Sequence, residues 1–138
     1  MILSTAIIFA LIASISAAPA PAPINNPPLL VTIQLANDVT GLNVAKQIPA
    51  DRSAQMVRDT FADTAIDTKN PSGQSEFLVS SAQLTQFPQG VSCFMADGND
   101  RFGFLTTENT FVDLDCDLGS LGLQNLVNTI IRCNVSMN

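Results

Sequence analysis

The chain contains no histidine, no tryptophan and no tyrosine. Without histidine the commonest general base and the commonest zinc ligand are missing, and neither a Cys-His nor a Ser-His nucleophile pair can be assembled. Without tryptophan and tyrosine the best rings for stacking on sugars are missing as well. Positive charge is scarce: six Lys and Arg stand against twelve Asp and Glu, for a net charge of −6. That balance argues against nucleic acid and against an anionic membrane surface as partners, because both are held by Lys and Arg. Nor is there an apolar run long enough to span a bilayer; Ala6 to Ala13 is far short of it.

What is present begins with a leader. Met1–Ala18 joins that apolar run to the small residues Ser14, Ser16, Ala17 and Ala18, the pattern of a cleaved secretory signal, although its start lacks Lys and Arg. Cleavage is expected between Ser16 and Ala18. Residues 19–28 are rich in proline and alanine, cannot build a ladder of backbone bonds and read as an extended linker. Residues 29–138 then form a single secreted domain, long enough for one real core.

The domain is organised around Val91–Leu118. Two apolar strands meet there at Asp97-Gly98-Asn99-Asp100, a hairpin signal because glycine accepts the positive φ of a tight turn. Phe111–Leu118 follows as a third strand. Its alternation sends Val112, Leu114, Cys116 and Leu118 to one face and Phe111, Asp113, Asp115 and Asp117 to the other. Earlier in the chain, Leu30–Leu35 and Leu42–Ile48 alternate around turn residues 37–41 and should pair as a hairpin. Ala54, Val57 and Phe61 fall at helical spacing, and Asp51 or Ser53 could cap them, so a short helix is expected over Ser53–Phe61. Ala62–Gln74 reads as an exposed polar loop and Glu76–Leu84 as a strand. For the C-terminal segment we expect a turn or short helix at Leu121–Leu126, then a strand from Val127 to Val135. The fold class is therefore mainly β: a small antiparallel β-sandwich or barrel with one short helix, stapled by one disulfide.

Three cysteines allow one internal bridge and leave one thiol over. Cys93–Cys116, Cys93–Cys133 and Cys116–Cys133 are all open on sequence. Cys93–Cys133 is preferred because it would staple the terminal strand to the central hairpin, leaving Cys116 as a buried free thiol. A Cys116 bridge between two copies is the sharper alternative. The flanking Asp115 and Asp117 disfavour the thiolate such exchange needs, and a monomer is expected. Asn134-Val135-Ser136 is the only permitted glycosylation sequon, since proline excludes Asn70-Pro71-Ser72. The strand reading points Asn134 outward.

Few constellations carry chemistry. Asp113, Asp115 and Asp117 resemble the start of a calcium loop, but an EF-hand needs glycine where Leu118 stands and glutamate where Gln124 stands. Asp97, Asp100 and Glu108 could join Asp113 in a carboxylate-dependent hydrolase, with no motif to support the grouping. No catalytic residue, metal or other cofactor is expected. The long loop and the hairpin turn are the expected partner contacts, through Asp67, Lys69, Asn70, Asp97, Asn99 and Asp100. The partner would be an extracellular protein or a cell-wall component.

Several short motifs carry a family resemblance: Asn37-Asp38 with Thr40-Gly41, Ser81-Ala82-Gln83-Leu84-Thr85-Gln86-Phe87, Val91-Ser92-Cys93, Thr110-Phe111-Val112-Asp113-Leu114 and the late Cys133. With these the chain resembles a family of small secreted proteins of filamentous fungi that are candidate effectors. The resemblance implies secretion, an all-β domain and a bridge matching Cys93 and Cys133, with Cys116 as an addition to the pattern. It implies no catalytic residues. The functions in view are extracellular binding at a host or environment interface, a structural role in a cell wall or matrix, or a small hydrolase.

Overall fold

A computed structural model describes residues 18–20, 26–114 and 122–136. The leader up to residue 17, residues 21–25 of the linker, and the Asp115–Leu118 half of the expected third strand with Cys116 lie outside the described residues.

Strand β1 (Leu30–Asn37) and strand β2 (Leu42–Pro49) form the first hairpin. Val31, Ile33 and Leu35 are fully buried while Thr32 and Gln34 between them are not, which is the alternation the sequence shows. The chain then turns at Ala50, whose N–H donates to Leu29 O at 2.7 Å, and enters a second sheet. Strand β3 (Asp51–Met56) leads into one helical turn, α1 (Val57–Thr60). Two short pairs follow, β4 (Thr68–Lys69) with β5 (Ser75–Glu76), and β6 (Leu78–Val79) with a later partner. Strands β7 (Ser81–Gln86), β8 (Val91–Asp97), β9 (Asp100–Thr106), β10 (Phe111–Asp113), β11 (Gln124–Asn125) and β12 (Ile130–Val135) complete the order.

These strands assemble two antiparallel four-stranded sheets, β10-β7-β1-β2 and β3-β12-β8-β9, with the small β11-β6 and β4-β5 pairs beside them. One core lies between the sheets. Ile33, Leu35 and Leu84 enter it from the first, Met95, Leu105 and Ile131 from the second, and Phe61 and Phe77 from the connections. Burial of apolar surface at about 25 cal/mol per Å² is the main force holding the sheets face to face. Cys93 on β8 and Cys133 on β12 stand directly opposite one another in the strand register, with Cα atoms 4.1 Å apart, and are joined as a buried disulfide.

The helix expected over Ser53–Phe61 is mostly strand. Ala54, Gln55 and Met56 pair with Arg132, Ile131 and Ile130 on the edge of the second sheet, and that long-range ladder outweighs a weak local helical spacing. Alternation is hidden there by a bulge: the register slips between Arg132 and Asn134, and Arg52 adopts φ 70. Asp51 does not cap a helix; its Oδ1 accepts the Ser53 N–H at 2.9 Å inside the strand. Only the single turn of α1 survives, and its leading residue Met56 provides no side-chain cap. The strand expected over Glu76–Leu84 is broken into β5, β6 and β7. Ser80 leaves the ladder, buried, with its hydroxyl accepting from Asp38 N at 2.9 Å and its own N–H donating to Ala36 O. At the C-terminus the strand begins at Ile130 rather than Val127, and the segment before it contributes β11 in place of a helix.

Candidate functional site

Both expected contact segments emerge at one end of the second sheet. The registers set Ala96 beside Ile130 and Ile130 beside Met56. The Asp97–Asp100 turn therefore lies at the end of the sheet from which α1 and residues 62–74 depart. Gly98 takes φ 60 at the first central position of the turn, as a type II′ hairpin requires. Asp97, Asn99 and Asp100 are exposed.

Residues 62–74 are not slack chain. Phe61 and Ile66 are buried and tie the segment to the core. Thr64 Oγ1 donates to Phe61 O at 2.6 Å. Asp67 Oδ2 accepts the Asp63 N–H at 2.9 Å, with Asp63 itself at φ 58, a conformation aspartate tolerates better than most residues. Lys69 Nζ pairs with Asp67 Oδ1 at 3.2 Å and also donates to Ser75 Oγ. Asn70 Oδ1 accepts from the N–H groups of Ser72 (3.0 Å) and Gln74 (2.9 Å), closing the tip. Lys69 is exposed, and Asp67 and Asn70 are half-buried.

The same contacts set the electrostatics. The Asp63 N–H, with help from Ser75 and Lys69, holds the Asp67 carboxyl below its ordinary value against the opposing effect of burial. The Ser53 hydroxyl and N–H do the same for Asp51. A lowered folded pKa means that the carboxylate is the form the fold prefers. Its stabilisation is complete above the unfolded value near ~3.9 and is lost as pH falls through the lower folded value. In an NMR pH titration the Asp67 carboxyl should therefore titrate below an exposed aspartate. The acid-induced shifts of amides 63–76 should disappear in Asp67→Asn.

The carboxylates considered for hydrolysis are not gathered. Asp97 ends β8 and Asp100 opens β9 at one end of that hairpin, and Glu108 lies in the turn beyond the other end of β9. Asp113 is on β10; Asp115 and Asp117 lie outside the described residues. Among the described residues no group of three or more metal-ligating side chains comes together. Asn134 is half-buried on β12, and its Oδ1 accepts from Arg52 Nε at 3.1 Å.

One feature escapes the sequence reading. The outer face of the second sheet gathers Arg52 from β3, Arg132 from β12 and Arg101 from β9, three of the chain's six basic residues. Phe94 on β8 pairs with Arg132 across the ladder. The Arg101 guanidinium lies 4.5 Å above the Phe94 ring, a cation–π contact, and Phe104 packs 6.4 Å from that ring, centroid to centroid. Two adjoining grooves of about 260 and 240 Å³ share Phe94, Arg101 and Arg132. The first extends toward Asn99 and Ile130, the second toward Arg52, Ser92 and Asn134. The only signal in the sequence is the outward place of Arg132 and Asn134 in the last strand.

No family model, curated protein or solved structure matches this chain.

Proposed function

We propose that the protein is a secreted, non-enzymatic binding protein of the small fungal effector type, acting outside the cell through the end of the sandwich that carries residues 62–74 and 97–100. The observation that supports this best is the internal bonding of the long loop. Asp67, Lys69 and Asn70 hold a polar, solvent-facing tip in one shape. A surface ordered in advance loses less entropy on meeting a partner, which is where a binding loop gains affinity. The Cys93–Cys133 bridge fits an oxidising compartment and agrees with the secretory leader.

Expression of the full chain in a secreting filamentous host tests the reading. The protein in the medium should have lost its first 16 to 18 residues, and alkylation before reduction should label one thiol per chain, the one left when Cys93 and Cys133 are joined. Alanine at Asp67, Lys69 and Asn70 together with Asp97, Asn99 and Asp100 should abolish binding to host-cell surfaces, measured by flow cytometry. Unchanged binding removes the loop end as the contact. Protein that stays with the cell residue through extraction supports a wall or matrix role instead.

A further inference from the structure

The arginine face of the second sheet has a chemistry of its own. The chain is acidic overall, yet half of its basic residues meet on one face. Among the described residues none of these three arginines forms an ion pair; the pair present is Lys69–Asp67, in the loop. The acids nearest the face are otherwise placed. Asp51 is bonded to Ser53, and Asp97 and Asp100 flank the exposed turn at one edge. Arg52 is aimed by the bulge in β3, with its Nε on Asn134. Arg101 is propped on Phe94. Each guanidinium keeps further N–H donors free to face solvent.

The convergence of the arginines favours a cluster of carboxylates. β3, β12, β8 and β9 are successive strands of the sheet, but the side chains lean inward: the Arg101 guanidinium lies over Phe94 on β8 and Arg52 Nε reaches Asn134 on the neighbouring β12, so the charged heads of Arg52, Arg132 and Arg101 gather around the groove they line together. The half-buried ring of Phe94 and the exposed ring of Phe104 beside it suit the aliphatic stems of glutamate. A densely charged polyanion is disfavoured by the net charge of −6. We propose that the outer face of the β3-β12-β8-β9 sheet docks an acidic peptide segment of a partner protein, with clustered carboxylates taken by Arg52, Arg132 and Arg101. This surface adjoins the 97–100 turn, whose Gly98 and Asn99 line one groove, but includes none of residues 62–74 and stands or falls independently of them. Asn134 lies in its floor, so a glycan there would cover it.

The test uses the secreted protein carrying Ser136→Ala, which removes the sequon while keeping Asn134 and the backbone bond from residue 136 to Gly90. The probe is a fluorescein-labelled peptide, acetyl-Glu-Ser-Glu-Ser-Glu-amide, followed by anisotropy and by amide shifts at low salt. Controls are its all-glutamine analogue and an oligogalacturonate. Binding should be weak, with Kd of about 0.1–1 mM, and should fade as salt is raised. It should shift residues on β8, β9 and β12 and exceed the all-glutamine analogue by about threefold or more. Arg132→Gln should weaken it about threefold and Arg101→Gln/Arg132→Gln about tenfold, while alanine at Asp67, Lys69 and Asn70 leaves it unchanged. Equal binding of the glutamate peptide and its all-glutamine analogue, or indifference to the arginine replacements, overturns the proposal. So does preference for oligogalacturonate, or self-association that occupies the same face.

Discussion

Replacing Cys93 and Cys133 together by alanine should lower the stability of the domain by about 4 kcal/mol, the value chain-entropy reasoning assigns to a bridge closing a loop of 40 residues. Domains of this size are stable by only about 5–15 kcal/mol, so the loss takes a large share of the total. The position of the bridge adds to the effect. It joins β8 to β12 inside the core face of the second sheet, and β12 is the central strand on which both β3 and β8 pair. Once unbridged, the last strand is held by its ladders and by Ile131 alone among its fully buried apolar side chains. The double replacement is the right variant, because a single one leaves a second free thiol in addition to Cys116 and invites exchange. Urea unfolding monitored by circular dichroism measures the difference. The wild type under reductant should unfold close to the double variant, and a gap below about 1 kcal/mol between bridged and unbridged forms would mean that the reduced chain already keeps these strands together.

The same bridge shows how much of the fold could be read in advance. β1 and β2 were legible because one face is buried and the other wet, so period-two alternation survives in Val31, Ile33 and Leu35. β3 was not, because the bulge at Arg52 breaks its alternation while Ala54, Val57 and Phe61 stay at helical spacing. Val57 and Phe61 are indeed buried together, but one turn of helix is all that they organise. Ser80 ended a strand for a reason no local rule contains: its partners, Ala36 and Asp38, are more than forty residues away.

The arginine face was hidden for a similar reason. Net charge is an average over the chain and does not register three arginines converging from three strands. Part of it could have been derived. If Cys93 faces Cys133 directly, antiparallel counting sets Phe94 against Arg132 and Ser92 against Asn134, as observed. Arg101 and Arg52 could not be placed that way. A register shift between Cys93 and Met95 separates β8 from simple counting on β9, and Arg52 sits at the other bulge.

Phe61→Ala should be nearly as damaging as loss of the bridge, at about 3–5 kcal/mol, the usual range for emptying a buried phenylalanine site. Phe61 is fully buried, and it stands where α1 ends and the long loop begins. Its N–H donates to Val57 O and its carbonyl accepts the Thr64 hydroxyl, so the ring, the helical turn and the start of the loop move as one unit. Ile66 is the next buried anchor, and none of Ala62, Asp63, Thr64 and Ala65 between the two is buried. Truncation should therefore do two things that can be told apart. Global stability falls because a cavity opens between the sheets. Locally, hydrogen exchange at residues 62–76 accelerates more than exchange in β1 or β8, because the tip held by Asp67 and Asn70 loses its inner attachment while its own bonds remain. If the tip is the contact surface, the variant should bind more weakly even below its unfolding midpoint, in proportion to the time the loop spends open. Uniform acceleration across both sheets, with binding intact until the domain unfolds, would show that the loop is ordered by its own polar bonds and needs no anchor in the core.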